Sequence, residues 1–115
     1  MLAKKFHLQI HQWRPAKIFT QKSEYFTVKT SPNDSNFSRF GAIVSSKIFK
    51  SSVKRNRLKR IFFDFIRLNK LHLAGGQDVL LIFFPSVAKL TKEEIEKELK
   101  KYVKPVSRSS LPPSF

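Results

Sequence analysis

At 115 residues with a formal net charge of +15, the chain has room for one domain and carries far more positive charge than solubility requires. Its 23 Lys and Arg against 8 Asp and Glu point to a polyanionic partner, nucleic acid or an anionic surface. Without cysteine it has no disulfide, thiolate metal site or Cys nucleophile, and no apolar stretch approaches the ~20 residues of a membrane span.

The start, Met1-Leu2-Ala3-Lys4-Lys5, is basic but lacks a following apolar h-region, so no secretory signal is expected and a cytoplasmic location is the default. Residues 1–23 are assigned to a basic N-terminal arm, in which Arg14-Pro15 argues against one continuous helix. Residues 24–30 are rich in aromatic and β-branched side chains and predict a strand. A loop by composition follows at 31–36, then a second strand at 39–45, the pair being expected as an antiparallel hairpin. Ser51 or Ser52 can cap a helix running to about Asn69. Gly75-Gly76 breaks the chain, and the continuous apolar run 78–84 reads as a buried strand. A final helix over 91–104 carries the capping-box pair Thr91 and Glu94, a Leu90–Ile95 staple, and a stripe of Ile95, Leu99, Tyr102 and Val103. The Ser- and Pro-rich residues 105–115 are expected to be a disordered tail. The order strand, strand, helix, strand, helix suits an α+β domain with helices packed on one sheet.

The central helix carries the chemistry. Lys54-Arg55-Asn56-Arg57-Leu58-Lys59-Arg60 places five basic residues in seven positions, and nothing acidic lies between Asp34 and Asp64. At 100° per residue, Leu58, Ile61, Phe62, Phe65, Ile66 and Leu68 share one arc. Arg55, Asn56, Lys59, Arg60 and Arg67 fall opposite, giving a core face and a partner face. Arg forks onto two phosphate oxygens, and Lys acts as a flexible point charge. Asn56 can serve a ribose hydroxyl or base edge, or instead bond locally near the helix start. Phe63 points among the basic residues, where it either stacks on an unpaired base or packs under the arm.

Arg39-Phe40-Gly41, Val44-Ser45-x-Lys47 and Arg55-Asn56-Arg57-Leu58-Lys59-Arg60, with Gly76-Gln77-Asp78 opening an apolar strand, resemble the protein component of bacterial ribonuclease P. The resemblance covers about residues 24–104. It departs at Ser46, where the family commonly has Lys, at Phe63-Asp64, where it often has Arg-Glu, and in the arm, which lacks the usual aromatic-bearing helix. It implies an α/β sandwich with a left-handed βαβ crossover. It also implies a catalytic RNA subunit that binds Mg²⁺ and removes the 5′ leader of precursor tRNA, while the protein supports that RNA and helps to hold the leader. The RNA-contact set is then Arg39, Lys47, Lys50, Lys54, Arg55, Asn56, Arg57, Lys59, Arg60, Phe63 and Arg67, with Phe26 and Phe40 as leader contacts.

An independent protein active site is not expected. The carboxylates Glu93, Glu94, Glu96 and Glu98 sit on one helix start, where they complement its dipole. His7, His11 and His72 make no convincing metal or triad spacing. The alternatives are a ribosomal or other structural RNA-binding protein without a processing role, a stand-alone metal-dependent nuclease and a DNA-binding architectural module. Neither a membrane nor a protein partner is implied.

Overall fold

The computed structural model describes residues 3–73 and 75–103. Four strands form a mixed sheet: β1 (Phe19–Lys22), β2 (Phe26–Pro32), β3 (Arg39–Ile43) and β4 (Gln77–Phe83). Two helices, α1 (Ser52–Leu68) and α2 (Lys92–Tyr102), complete it. The strand order is β1-β2-β4-β3.

The expected hairpin between the second and third strands does not form. β4 lies between them, antiparallel to β2 and parallel to β3. The physical reason lies in the β4 side chains, which are buried on both faces. Val79, Leu81 and Phe83 lie on one face, and Asp78 and Leu80 on the other. Only a central strand meets neighbours on both edges and cover on both faces. β3, α1 and β4 therefore make the βαβ unit that the helix between two strands implied.

The described part of the expected arm at 1–23, residues 3–23, is joined to the sheet. β1 pairs with β2 across that boundary, Phe19 opposite Thr30 and Lys22 opposite Thr27. Ser23 closes the turn, its hydroxyl accepting from the amides of Tyr25 and Phe26. Further back, His7 bridges to Phe40 in parallel and the Leu8 amide donates to the Phe40 carbonyl at 2.8 Å. This segment therefore partners the outer edge of β3, which a bare sheet would leave open. It then crosses the face away from the helices at Gly41. A Cβ built on Gly41 would stand 3.2 Å from Leu8 and Ile10, so this glycine admits the crossing.

The core fills the space between sheet and helices. Phe26, Val28, Phe40, Ala42, Leu81 and Phe83 meet Leu58, Phe62, Phe65 and Ile66 of α1 and Ile95 and Leu99 of α2. Both helices begin as their sequences ask. Ser51 caps α1, its hydroxyl accepting from the Lys54 amide, and Thr91 with Glu94 forms a reciprocal capping box on α2. Leu68, placed on the apolar arc by periodicity, is instead 64% exposed. It sits in the last turn, beyond the sheet's reach. The expected tail at 105–115 lies outside the described residues.

Candidate nucleic-acid interface

α1 packs on the sheet through one side and, at Phe63, under the N-terminal segment, and the rest of its circumference turns a basic surface to solvent. Lys54, Asn56, Arg57, Arg60 and Arg67 are exposed and Lys59 is half-buried. Negative charge near them is scarce. Asp64 approaches Arg67 at 4.0 Å, while Asp78, Glu94 and Glu98 are engaged elsewhere. Lys47 and Lys50 extend this surface from the exposed β3–α1 connection.

The basic side chains divide between two grooves along the helix. On the β3 side, Asn56, Lys59 and Arg60 face His7 and Ile10 across a groove of about 490 Å³. On the other side, Lys54 and Arg57 overlook a groove of about 570 Å³ against the β4–α2 connection. The split follows from the 100° step per residue, which brings Asn56, Lys59 and Arg60 to one flank and Lys54 and Arg57 to the other.

Arg55 has a structural task that its place in the basic run did not announce. Its Nη1 donates to the carbonyls of Phe49 at 2.7 Å and Lys50 at 2.9 Å, tying the β3–α1 connection to the helix. Arg39 is also committed. It lies beside Asp78 in register, donating from Nε at 2.9 Å and from Nη2 at 2.8 Å. Such a bidentate pair occupies one edge of the guanidinium, so Arg39 has a structural task in the fold besides its place on the cleft described below. Asp78, 4% exposed, also accepts from Trp13 Nε1 at 3.2 Å and Asn33 Nδ2 at 2.8 Å. The carboxylate thus joins the N-terminal segment, the β2–β3 loop and two strands. Trp13 and Asn33 carried no local signal in the sequence, because their partner is remote in the chain.

Phe63 takes the second of its two expected settings. It is 8% exposed and stacks on His7, ring centroids 4.6 Å apart and planes 18° from parallel. The N-terminal segment covers this ring, so Phe63 presents no open face for a base. Phe26 and Phe40, expected as leader contacts, are 0% and 3% exposed. Both point to the helix side of the sheet, where Phe26 meets Phe83 and Tyr102 and Phe40 meets Phe62. Their strand periodicity and burial assign their rings to the core.

Among the described residues, no three His, Cys, Asp or Glu side chains gather as metal ligands, and no helix is long and apolar enough to cross a membrane. A further cleft of about 550 Å³ opens between the N-terminal segment and the β2–β3 loop, lined by Trp13, Arg14, Lys17, Asn33 and Asp34 above the Arg39–Asp78 pair.

A mixed sheet backed by two helices, one carrying a largely uncompensated basic ridge, defines a small module built to lie against a polyanion. Residues 16–107 match the family model for Ribonuclease P. The chain is 37% identical over 93 residues to the ribonuclease P protein component of Syntrophus aciditrophicus (strain SB), covering 81% of this chain and 74% of the relative. Against that of Desulforapulum autotrophicum, identity is 34% over 90 residues, with 78% and 76% covered. The fold superimposes on the ribonuclease P protein of Thermotoga maritima with a TM-score of 0.70 at 24% identity, over 79% of this chain and 86% of that one. For the Staphylococcus aureus ribonuclease P protein the TM-score is 0.67 at 25% identity, over 73% and 76%. The chain belongs to the ribonuclease P protein component family, the protein subunit of the endoribonuclease that matures tRNA 5′ ends.

Proposed function

We propose that this protein binds the catalytic RNA subunit of ribonuclease P through the basic ridge of α1, and helps that RNA to hold precursor tRNA by its 5′ leader. The observation that carries the reading is a set of four cations on one helix, exposed Lys54, Arg57 and Arg60 and half-buried Lys59, which form no ion pair among the described residues and stand beside exposed Asn56. Each phosphate they neutralise releases condensed counterions, so association strengthens as salt falls. The cleft floored by Arg39 and Asp78, with Arg14 and Lys17 on its wall, is the surface assigned to the leader. It takes the place of Phe26 and Phe40 in that role.

The protein acts by binding and orienting, and Mg²⁺-assisted hydrolysis belongs to the RNA. A two-metal phosphodiesterase site needs converging carboxylates. Here Asp78 is held by Arg39, Glu94 caps α2 and Glu98 pairs with Lys101. The protein's place is the cytoplasm, where bacterial tRNA is matured. A structural RNA-binding role without processing finds no support in the family match.

The test is reconstitution of the full chain with a bacterial ribonuclease P RNA and a precursor tRNA. Protein alone leaves the precursor intact, and added to the RNA it stimulates 5′-leader removal at limiting Mg²⁺. Lys59→Ala with Arg60→Ala weakens association and flattens its salt dependence by about 0.7–0.9 for each phosphate no longer neutralised, with an unchanged melting temperature. Leader cleavage by RNA-free protein overturns the division of labour.

A further inference from the structure

The second groove beside α1 has a chemistry of its own. Its floor is apolar: Leu58, Val87 and Ile95 are buried, while Phe49, Ile61 and Leu90 remain half-exposed to water. Lys54 and Arg57 on α1 and Lys92 on α2 stand around the opening, exposed, against the single carboxylate of Glu93. None of these three cations forms an ion pair among the described residues. An apolar slot ringed by unpaired cations is costly without an occupant, since it exposes carbon to water and holds like charges together.

We propose that this groove receives one unpaired nucleotide of the RNA subunit, its base against Phe49, Ile61 and Leu90 and its flanking phosphates on Lys54, Arg57 and Lys92. The proposal rests on the RNA-binding reading above and adds to it a base-inserting site separate from the β3-side groove. Its volume, about 570 Å³, lies in the range of small-ligand sites and is ample for a planar base. The Phe49 ring supplies a stacking face. The Lys54 ammonium stands 6.0 Å from its centroid, at the outer limit of a cation–π contact, so that contact is weak and a base can displace it from the ring face. Bases stack on aromatic rings whatever their identity, while the sugar–phosphate chain follows positive charge. Charge complementarity selects a polyanion, and the apolar floor selects a strand whose bases are unstacked.

Helix geometry makes the site independent of the first groove. On an ideal helix the directions of Lys54 and Arg57 lie roughly 100–160° from those of Asn56 and Lys59. A partner spanning both grooves grips α1 from both flanks, and this accounts for a motif in which consecutive polar residues diverge.

The experiment uses the full chain with its RNA subunit and two variants outside the basic motif. Ala88→Trp fills the groove from an exposed position on the Pro85–Lys89 turn, and Lys92→Ala removes only the cation that α2 contributes. Melting temperatures establish that both fold. With wild-type protein, chemical probing of the RNA shows an unpaired base protected from modification. With Ala88→Trp that base becomes reactive and affinity falls about tenfold, while protections that depend on Arg60 persist. With Lys92→Ala the slope of log affinity against log salt falls by about one. If both variants leave the probing pattern and salt slope unchanged while Arg60→Ala still weakens binding, the second groove does not hold RNA and the broader reading stands. If wild-type protein fails to bind the RNA at all, the broader reading falls with it.

Discussion

Replacing Asp78 by Asn tests whether one buried carboxylate holds the N-terminal segment on the sheet. The substitution preserves shape but removes the charge, and its new amide hydrogens face donors on Arg39, Trp13 and Asn33. Removing one partner of a fully buried ion pair costs about 3–5 kcal/mol. The Arg39 side chain is 36% exposed and recovers some hydration, which lowers the expected loss to about 2–3 kcal/mol. A domain of this size shifts by about 4–8 °C per kcal/mol, so the melting temperature should fall by roughly 10–20 °C. Trp13 is the only tryptophan, which makes its fluorescence a local reporter. In Asp78→Asn its emission should move to longer wavelength below the global transition, as the indole loses its acceptor and meets water. Arg39→Gln should produce the same two signatures, and the double variant should be less destabilised than the sum of the singles. A melting shift under about 3 °C with unchanged Trp13 emission would refute the anchoring role.

Phe63→Ala should lower stability by about 3 kcal/mol, because the ring is buried against His7, and should leave RNA affinity per folded molecule intact. A preserved melting temperature with weakened affinity reverses that assignment. Arg55→Ala should both destabilise the protein, by about 1–3 kcal/mol, and weaken RNA binding, since it releases the connection that carries Lys47 and Lys50. Arg55→Ala protein with wild-type melting behaviour contradicts the structural task. Thr91→Ala should cost about 1 kcal/mol at neutral pH by removing a helix cap, measured by denaturant unfolding. The hydrogen bond from the Thr91 backbone, followed by that of its side chain, holds Glu94 below its ordinary 4.5. A folded-state value below the unfolded one adds stability above about pH 4.5 that is lost as pH falls further, so the gap between wild type and Glu94→Ala, which removes the carboxylate itself, should narrow in acid. A gap independent of pH removes the capping box from the account.

Sequence alone determined what depends on neighbours in the chain. The Ser51 cap, the Thr91–Glu94 box, the buried stripe of Leu58, Phe62, Phe65 and Ile66, and the basic flank of α1 are consequences of local spacing, and the structure has them where periodicity placed them. The continuous apolar run at 78–84 announced a strand covered on both faces, although not what covers it. Tertiary structure decided that β4 separates β2 from β3, because pairing order depends on which strand can be buried twice, a property of the assembled sheet. It also decided the roles of Arg39, Arg55 and Phe63. Each carries the residue type of an RNA contact, yet each meets a partner brought to it by the fold: Asp78, the carbonyls of Phe49 and Lys50, and His7. Arg39–Asp78 and His7–Phe63 lie far apart in sequence, beyond any local pattern. Whether a cation or a ring stays available for RNA depends on such pairings, which exist only once the N-terminal segment has crossed the sheet at Gly41.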